Sequence, residues 1–197
     1  AGDFIRGLVQ KWPGQRVLVL THVKELISQN YEKLKTLWPD APAGIYSAGL
    51  KRRDTENSVI FAGIQSVHTR ASELGRFNLI LIDECHLVPA TGMGMYLRFL
   101  EAMKIINPNI RVIGLTATPY RLNSGSLIDG QDRLFTDIAY DVDVMRLVND
   151  GYLSPLVAKQ MDNELDLSGI HTRAGEFKAD ELHALTDDDA LARQVLI

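Results

Sequence analysis

The stretch 78-NLILIDECHL-87 decides the fold. Leu79, Ile80, Leu81 and Ile82 form a short apolar run, of the length expected for a strand buried on both faces. Asp83, Glu84, Cys85 and His86 follow at once. Three readings of those four residues stay open. Two adjacent carboxylates suit Mg-nucleotide hydrolysis, where one holds the ion through its water shell and the next polarises the attacking water. They also suit a merely solvated strand end. A metal cluster of all four fits less well, because neighbouring side chains on an extended segment point to opposite faces.

Outward from this stretch, helical and strand periodicities alternate. Phe4, Ile5, Leu8, Val9 and Trp12 fall on one helical face, which Pro13 and Gly14 stop. Arg16 to Leu20 reads as a buried strand. Val23, Leu26, Ile27, Tyr31, Leu34 and Leu37 recur at helical spacing up to Pro39. Short strands are expected at Ala43 to Tyr46 and Val59 to Ala62, with a helix starting at Ile64. Met95 to Ile106 reads as a helix and Ile110 to Leu115 as a further strand. Apolar strands alternating with helices predict an α/β fold, a mostly parallel sheet with helices on both faces. Ligands of such sheets sit beyond the carboxyl ends of the strands, where Asp83 to His86 fall. Further on, Asn123 to Gly130 reads as a Ser/Gly-rich loop and Val142 to Asn149 as a short helix. The expected organisation is a core over 1–156 and a linker with helical pieces over 157–197.

With 197 residues, 46% of them hydrophobic and 23% charged, the chain suits one domain with an appendage. No apolar run approaches the ~20 residues of a membrane span, and the N-terminus lacks a secretory pattern. One cysteine excludes an internal disulfide and fits a reducing, cytoplasmic setting. A net charge of -4 does not advertise nucleic-acid binding, but a local basic groove can act inside an acidic protein. Lys51, Arg52 and Arg53 form either such a patch or a solvated turn.

A second strand end, 113-IGLTATP-119, closes in two hydroxyls, Thr116 and Thr118. Alone they would cap a turn. Paired with DECH, they resemble motifs II and III of superfamily-two helicases and translocases. The segment 17-VLVLTHVKELISQN-30 resembles motif Ia, 48-AGLKRRD-54 the glycine-containing loop that follows, and 59-VIFAGIQSVH-68 the next nucleic-acid contact element. The ordered set covers about residues 1–156 and is similar to the family's first RecA-like domain. DECH with LTATPYRL and 151-GYLSPL-156 looks most like RadD-like bacterial DNA-repair helicases, with type I restriction motors as neighbours. Gly63 stands where many members have Thr, and His22 where many have Pro.

The resemblance implies an ATP- and Mg2+-dependent motor. In it Asp83 holds Mg2+ through water, Glu84 polarises the attacking water and His86 links them to their neighbours. Thr116 and Thr118 couple this site to a nucleic-acid face made by Thr21, Lys24, Gly49, Gln65 and Ser66. The implied partners are DNA, single-stranded or duplex, and a second RecA-like domain of the same parent, with no membrane. One part is missing. A phosphate-binding loop needs Gly-Lys, and that pair occurs nowhere in the 197 residues. The expectation is therefore a fragment of a DNA helicase or translocase without its P-loop strand, inactive alone. The alternatives are a pseudo-enzyme, a non-catalytic module that binds nucleic acid or protein, and a restriction motor.

Overall fold

Helix and strand alternate as α1 (Gly2–Lys11), β1 (Val17–Thr21), α2 (Lys24–Leu37), β2 (Ala43–Ser47), β3 (Arg52–Arg53), β4 (Val59–Gly63), α3 (Ile64–Val67), α4 (Ala71–Leu74), β5 (Leu79–Asp83), α5 (Met95–Ile106) and β6 (Arg111–Leu115). The structure, a computed structural model, describes residues 1–89, 94–121, 125–130, 133–155, 172–173 and 176–177. The chain divides into two units, Ala1–Phe135 and Thr136–Ile197.

In the first unit β1 to β6 form one sheet in the order β3-β2-β4-β1-β5-β6. All neighbours are parallel except the short edge strand β3, which runs antiparallel to β2. Side chains alternate across the strands and build two cores. Leu18, Leu20, Ile60, Ala62, Ile80 and Ile82 pack with Val67, Leu74, Phe99 and Met103 of α3, α4 and α5. Val17, Val19, Val59, Phe61, Leu79 and Leu81 pack with Ile5, Ile27 and Leu34 of α1 and α2. The register places Leu18 beside both Ile60 and Ile80, so the layers align across the sheet. Each fully buried aliphatic side chain contributes roughly 1.5–3 kcal/mol. The mostly parallel sheet with helices on both faces is the expected α/β architecture.

Two details depart from the sequence reading. In α1 only Ile5 is buried, while Phe4 and Trp12 are about half exposed. The face that meets α2 is the narrower Ile5–Leu8–Val9 stripe, and Trp12 carries the Lys11 ammonium 4.7 Å above its ring. The segment expected as a loop over Asn123 to Gly130 contains the second strand of a hairpin, β7 (Tyr120–Arg121) with β8 (Gly125–Ser126). It is followed by Leu127, which is buried and joins the core. Two adjacent apolar residues, Leu127 and Ile128, in a polar stretch carry no periodicity, but burial of Leu127 pins the hairpin.

The end of the sheet opposite the carboxyl edge is closed by Arg16. Its guanidinium lies 4.2 Å above the Phe77 ring and donates to the carbonyls of Thr55, Leu74 and Arg76. Burial pulls its pKa below the ordinary value, with Glu56 opposing. This leaves the carboxyl edge as the place for chemistry.

In the second unit, α6 (Val144–Asn149) is capped by Asp143, whose carboxylate accepts from the Met145 N–H at 3.0 Å. Over 157–197 the structure describes only a two-residue ladder, β9 (Thr172–Arg173) with β10 (Glu176–Phe177). The helical pieces expected elsewhere in that stretch lie outside the described residues.

Gly114 in β6 offers a stability test. A Cβ there would lie 2.5 Å from Cys85 Sγ and press on the Phe135 ring. Gly114→Ala is expected to cost about 1–3 kcal/mol as an overpacking change. At roughly 2–4 °C per kcal/mol, this is visible in a thermal melt. A melt indistinguishable from wild type would show that Phe135 moves aside freely.

Candidate functional site

At the end of β5 the chain stops behaving as a strand. Glu84 takes a left-handed backbone (φ 50), which costs a non-glycine residue roughly 1–2 kcal/mol. A 3-10 turn, Cys85–Leu87, follows. The kink sends the four residues different ways. Cys85 is buried in the α3–α5 core. Asp83 stays on the α2 face, where Asn30 Nδ2 donates to its Oδ2 at 3.0 Å. Glu84 keeps its side chain 44% exposed, with Oε2 3.4 Å from His86 Nδ1. Among the described residues no three His, Cys, Asp or Glu side chains converge on a metal position, which disposes of the four-residue cluster.

His86 reaches across to β6. Its Nδ1 lies 2.9 Å from Thr116 Oγ1. That hydroxyl donates to the Thr118 carbonyl and accepts from the Thr118 N–H, both at 3.0 Å. With its one hydrogen used on Thr118, the Thr116 oxygen accepts from His86. The nearby Glu84 carboxylate agrees, since it would repel a bare lone pair on Nδ1. Thr116 is therefore the hub. Thr118 enters through its main chain, a difference from the expectation of two hydroxyls acting together.

The second set lies along the same edge, at the ends of β1, β2 and β4. Ser66 Oγ accepts from the Ala48 N–H at 2.9 Å, and Gln65 Nε2 donates to the His22 carbonyl at 2.9 Å. The Lys24 side chain lies across Gly49, its Cδ 3.1 Å from where a Cβ would sit. Lys24, Gly49 and Gln65 are exposed and Ser66 is half-buried. Thr21, expected among the contacts, is only 2% exposed. Its Oγ1 accepts from the Val23 N–H at 3.3 Å, so this side chain turns β1 into α2 and does not face solvent. In the basic cluster Arg52 is paired with Asp54 at 2.5 Å and lies over Tyr31, whereas Lys51 and Arg53 are exposed.

A cavity of about 390 Å³ on the α1/α2 face is lined by Val19, Asn30, Lys33, Phe61, Asp83 and Leu115, together with the first residues of α1. On the opposite face Tyr96 is 6% exposed; burial, then the Asp83 carboxylate and Cys85, raise its phenol pKa. It stays protonated at neutral pH. Asp83 presents one carboxylate beside a cavity of ligand size, with no cage of protein ligands around it among the described residues. That suits Mg2+, which keeps several waters and shares its remaining ligands with phosphate oxygens. Asp83 would hold such an ion, and the ion would neutralise charge developing on a phosphate.

Residues 1–121 match the family described as type III restriction enzyme, res subunit (ResIII), more than half of the chain. The chain belongs to the ResIII family. This ResIII-family chain is 29% identical over 182 residues to a putative ATP-dependent helicase, IRC3, of Saccharomyces cerevisiae, covering 91% of this chain and 26% of that protein. It is 30% identical over 118 residues to the type I restriction enzyme EcoAI endonuclease subunit of Escherichia coli, covering 60% of this chain and 13% of that one. The chain thus spans about a quarter or less of these curated relatives. Among solved structures, the Hef helicase domain of Pyrococcus furiosus superposes with a TM-score of 0.50 at 23% identity, covering 78% of this chain and 30% of that one. The fold is that of a superfamily-two helicase domain. Among the described residues, no helix is long and apolar enough to cross a membrane.

Two features of the ResIII site lay beyond sequence reasoning. Asn30 ends the segment that resembles motif Ia, but nothing there gives it a role, and its contact with Asp83 spans 53 positions. The strained backbone of Glu84 is likewise unmarked, since glutamate has no preference for that region.

Proposed function

We propose that this chain is the first motor domain of an ATP-driven DNA helicase or translocase, with Asp83 and Glu84 as the hydrolytic carboxylates. The observation that carries the reading is the connection from β5 to β6. Glu84, His86 and Thr116 form one chain of contacts at the carboxyl edge, from the end of β5 to the end of β6, and the exposed Lys24, Gly49 and Gln65 lie at other strand ends of the same edge. A nucleotide signal at the carboxylates thereby has a physical route from β5 to the end of β6. In this reading Asp83 holds Mg2+, Glu84 polarises the attacking water, and His86 and Thr116 relay the state of the site. Lys24, Gly49, Gln65 and Ser66 touch one strand's sugar-phosphate backbone. The 197 residues contain no Gly-Lys pair, so in this reading the phosphate cradle that the mechanism needs is supplied from outside these residues. On its own the chain should then turn over ATP poorly. Work in DNA repair, close to RadD-like helicases, is the role we favour, on the strength of DECH with 115-LTATPYRL-122 and 151-GYLSPL-156.

The similarity to the EcoAI subunit supports a second reading, the motor of a restriction enzyme. A nuclease domain in the rest of the protein would favour it.

The nucleic-acid half can be tested on this chain. The exposed groups offer few cations and little aromatic surface, so binding to single-stranded DNA should be weak and independent of sequence. Each neutralised phosphate adds a slope of about -0.7 to log K against log salt. Contact with two or three phosphates therefore predicts a shallow slope, and Lys24→Ala should flatten it by about one phosphate's share. Strong sequence preference at moderate salt, or an unchanged slope in Lys24→Ala, would contradict the assignment of this edge.

A further inference from the structure

We infer that Asn30 is a positioning residue. It sets the Asp83 carboxylate for its metal ion and ties that carboxylate to the strand-binding end of α2. The inference rests on the proposed reading of Asp83 and extends it to a residue to which the resemblance gives no role.

The geometry begins at Asp83. Asn30 Nδ2 donates to Oδ2 at 3.0 Å, from a partly buried position that also lines the cavity on this face. A carboxylate at the end of a strand rotates about its side-chain bonds. One donor on Oδ2 fixes that rotation and leaves the other oxygen to face the cation's water shell. Loss of a group that hydrogen-bonds a ligating carboxylate typically lowers metal affinity by about 10–100-fold.

The tie follows from where α2 is held. Its first turn carries Lys24, whose side chain lies across Gly49. Ile27, one turn on, is 2% exposed, and its Cδ1 sits 3.1 Å from where a Gly63 Cβ would be. Asn30 comes next on the Asp83 side. From Lys24 to Asn30 the helix advances about 9 Å, at 1.5 Å per residue. A stiff, packed rod of under two turns thus touches the strand-binding loop at one end and the metal-binding carboxylate at the other. A shift of α2 that accompanies strand binding reaches Asp83 through Asn30.

The test uses the whole protein and the binding of a fluorescent ATP analogue, titrated with Mg2+, with and without oligothymidylate. In wild type, saturating oligothymidylate should lower the Mg2+ midpoint. Asn30→Ala, a good helix former, should raise the midpoint about tenfold and remove the effect of DNA, with an unchanged thermal melt. Asn30→Leu restores the volume without the donor and should behave like Asn30→Ala. A wild-type midpoint in Asn30→Ala, or rescue by Asn30→Leu, overturns the positioning role. A raised midpoint that DNA still shifts as in wild type overturns the tie to α2. Asp83→Ala separates the two levels. If Mg2+-dependent binding survives in Asp83→Ala, the proposed function and this inference fall together. If it is lost in Asp83→Ala while the Asn30 variants match wild type, only the inference falls.

Discussion

In the whole protein, Glu84→Gln is expected to lower kcat for ATP hydrolysis by roughly 10²–10⁴-fold, the usual contribution of a positioned general base. Nucleotide binding should be nearly unchanged. The substitution keeps the shape of the side chain, and the amide oxygen can still face His86 Nδ1, 3.4 Å away in the wild type. It removes the charge that draws a proton from the attacking water. A group that acts mainly in the transition state lowers kcat without weakening the ground-state complex. The backbone of Glu84 is already left-handed, and glutamine meets the same constraint, so the fold should not suffer. Steady-state turnover with a parallel nucleotide-binding measurement decides the matter. Turnover within about twofold of wild type, against the loss expected of a base, would remove Glu84 from the chemistry.

Thr116→Ala should separate hydrolysis from movement. The Thr116 hydroxyl meets His86 at 2.9 Å and both main-chain groups of Thr118 at 3.0 Å, so its removal breaks the side-chain link between the turns after β5 and β6 at one atom. Networks of this kind carry about 0.5–2 kcal/mol of coupling, or roughly two- to thirtyfold. Strand displacement or translocation per ATP should fall by such a factor, while part of the ATP turnover survives. Thr118→Ala leaves its N–H and carbonyl in place and should do much less. A strand-displacement assay run beside an ATPase assay reads both. Equal loss of the two activities in Thr116→Ala would make the hub purely catalytic or structural. An effect of Thr118→Ala as large as that of Thr116→Ala would move the weight back to both hydroxyls.

The contrast between Thr116 and Thr118 also marks how far sequence reasoning reaches. Met95–Ile106 and the runs around Leu18, Ile60 and Ile80 were legible because local periodicity reports burial, and both cores follow from it. The mostly parallel sheet followed from the alternation of those runs with helices. The edge strand Arg52–Arg53 was not legible, because two arginines in an exposed turn show no pattern. The hairpin that pairs Tyr120–Arg121 with Gly125–Ser126 was missed because the buried Leu127 beside it sits in a stretch without periodicity. At the site, Asp83, Glu84, His86 and Thr116 announced themselves by residue type at strand ends. Which atom does what was decided by contacts across tens of residues, and a sequence does not order those contacts. Thr21 shows the converse, a hydroxyl at the right place in the chain that the fold turns inward.

The most direct measurement is the rate of ATP hydrolysis by the whole protein, titrated with single-stranded DNA and run for wild type and Asp83→Ala. The account predicts a slow basal rate that rises saturably with DNA, and no DNA-dependent rise in Asp83→Ala. A rate that ignores DNA, or a DNA-dependent rise that persists in Asp83→Ala, would contradict it.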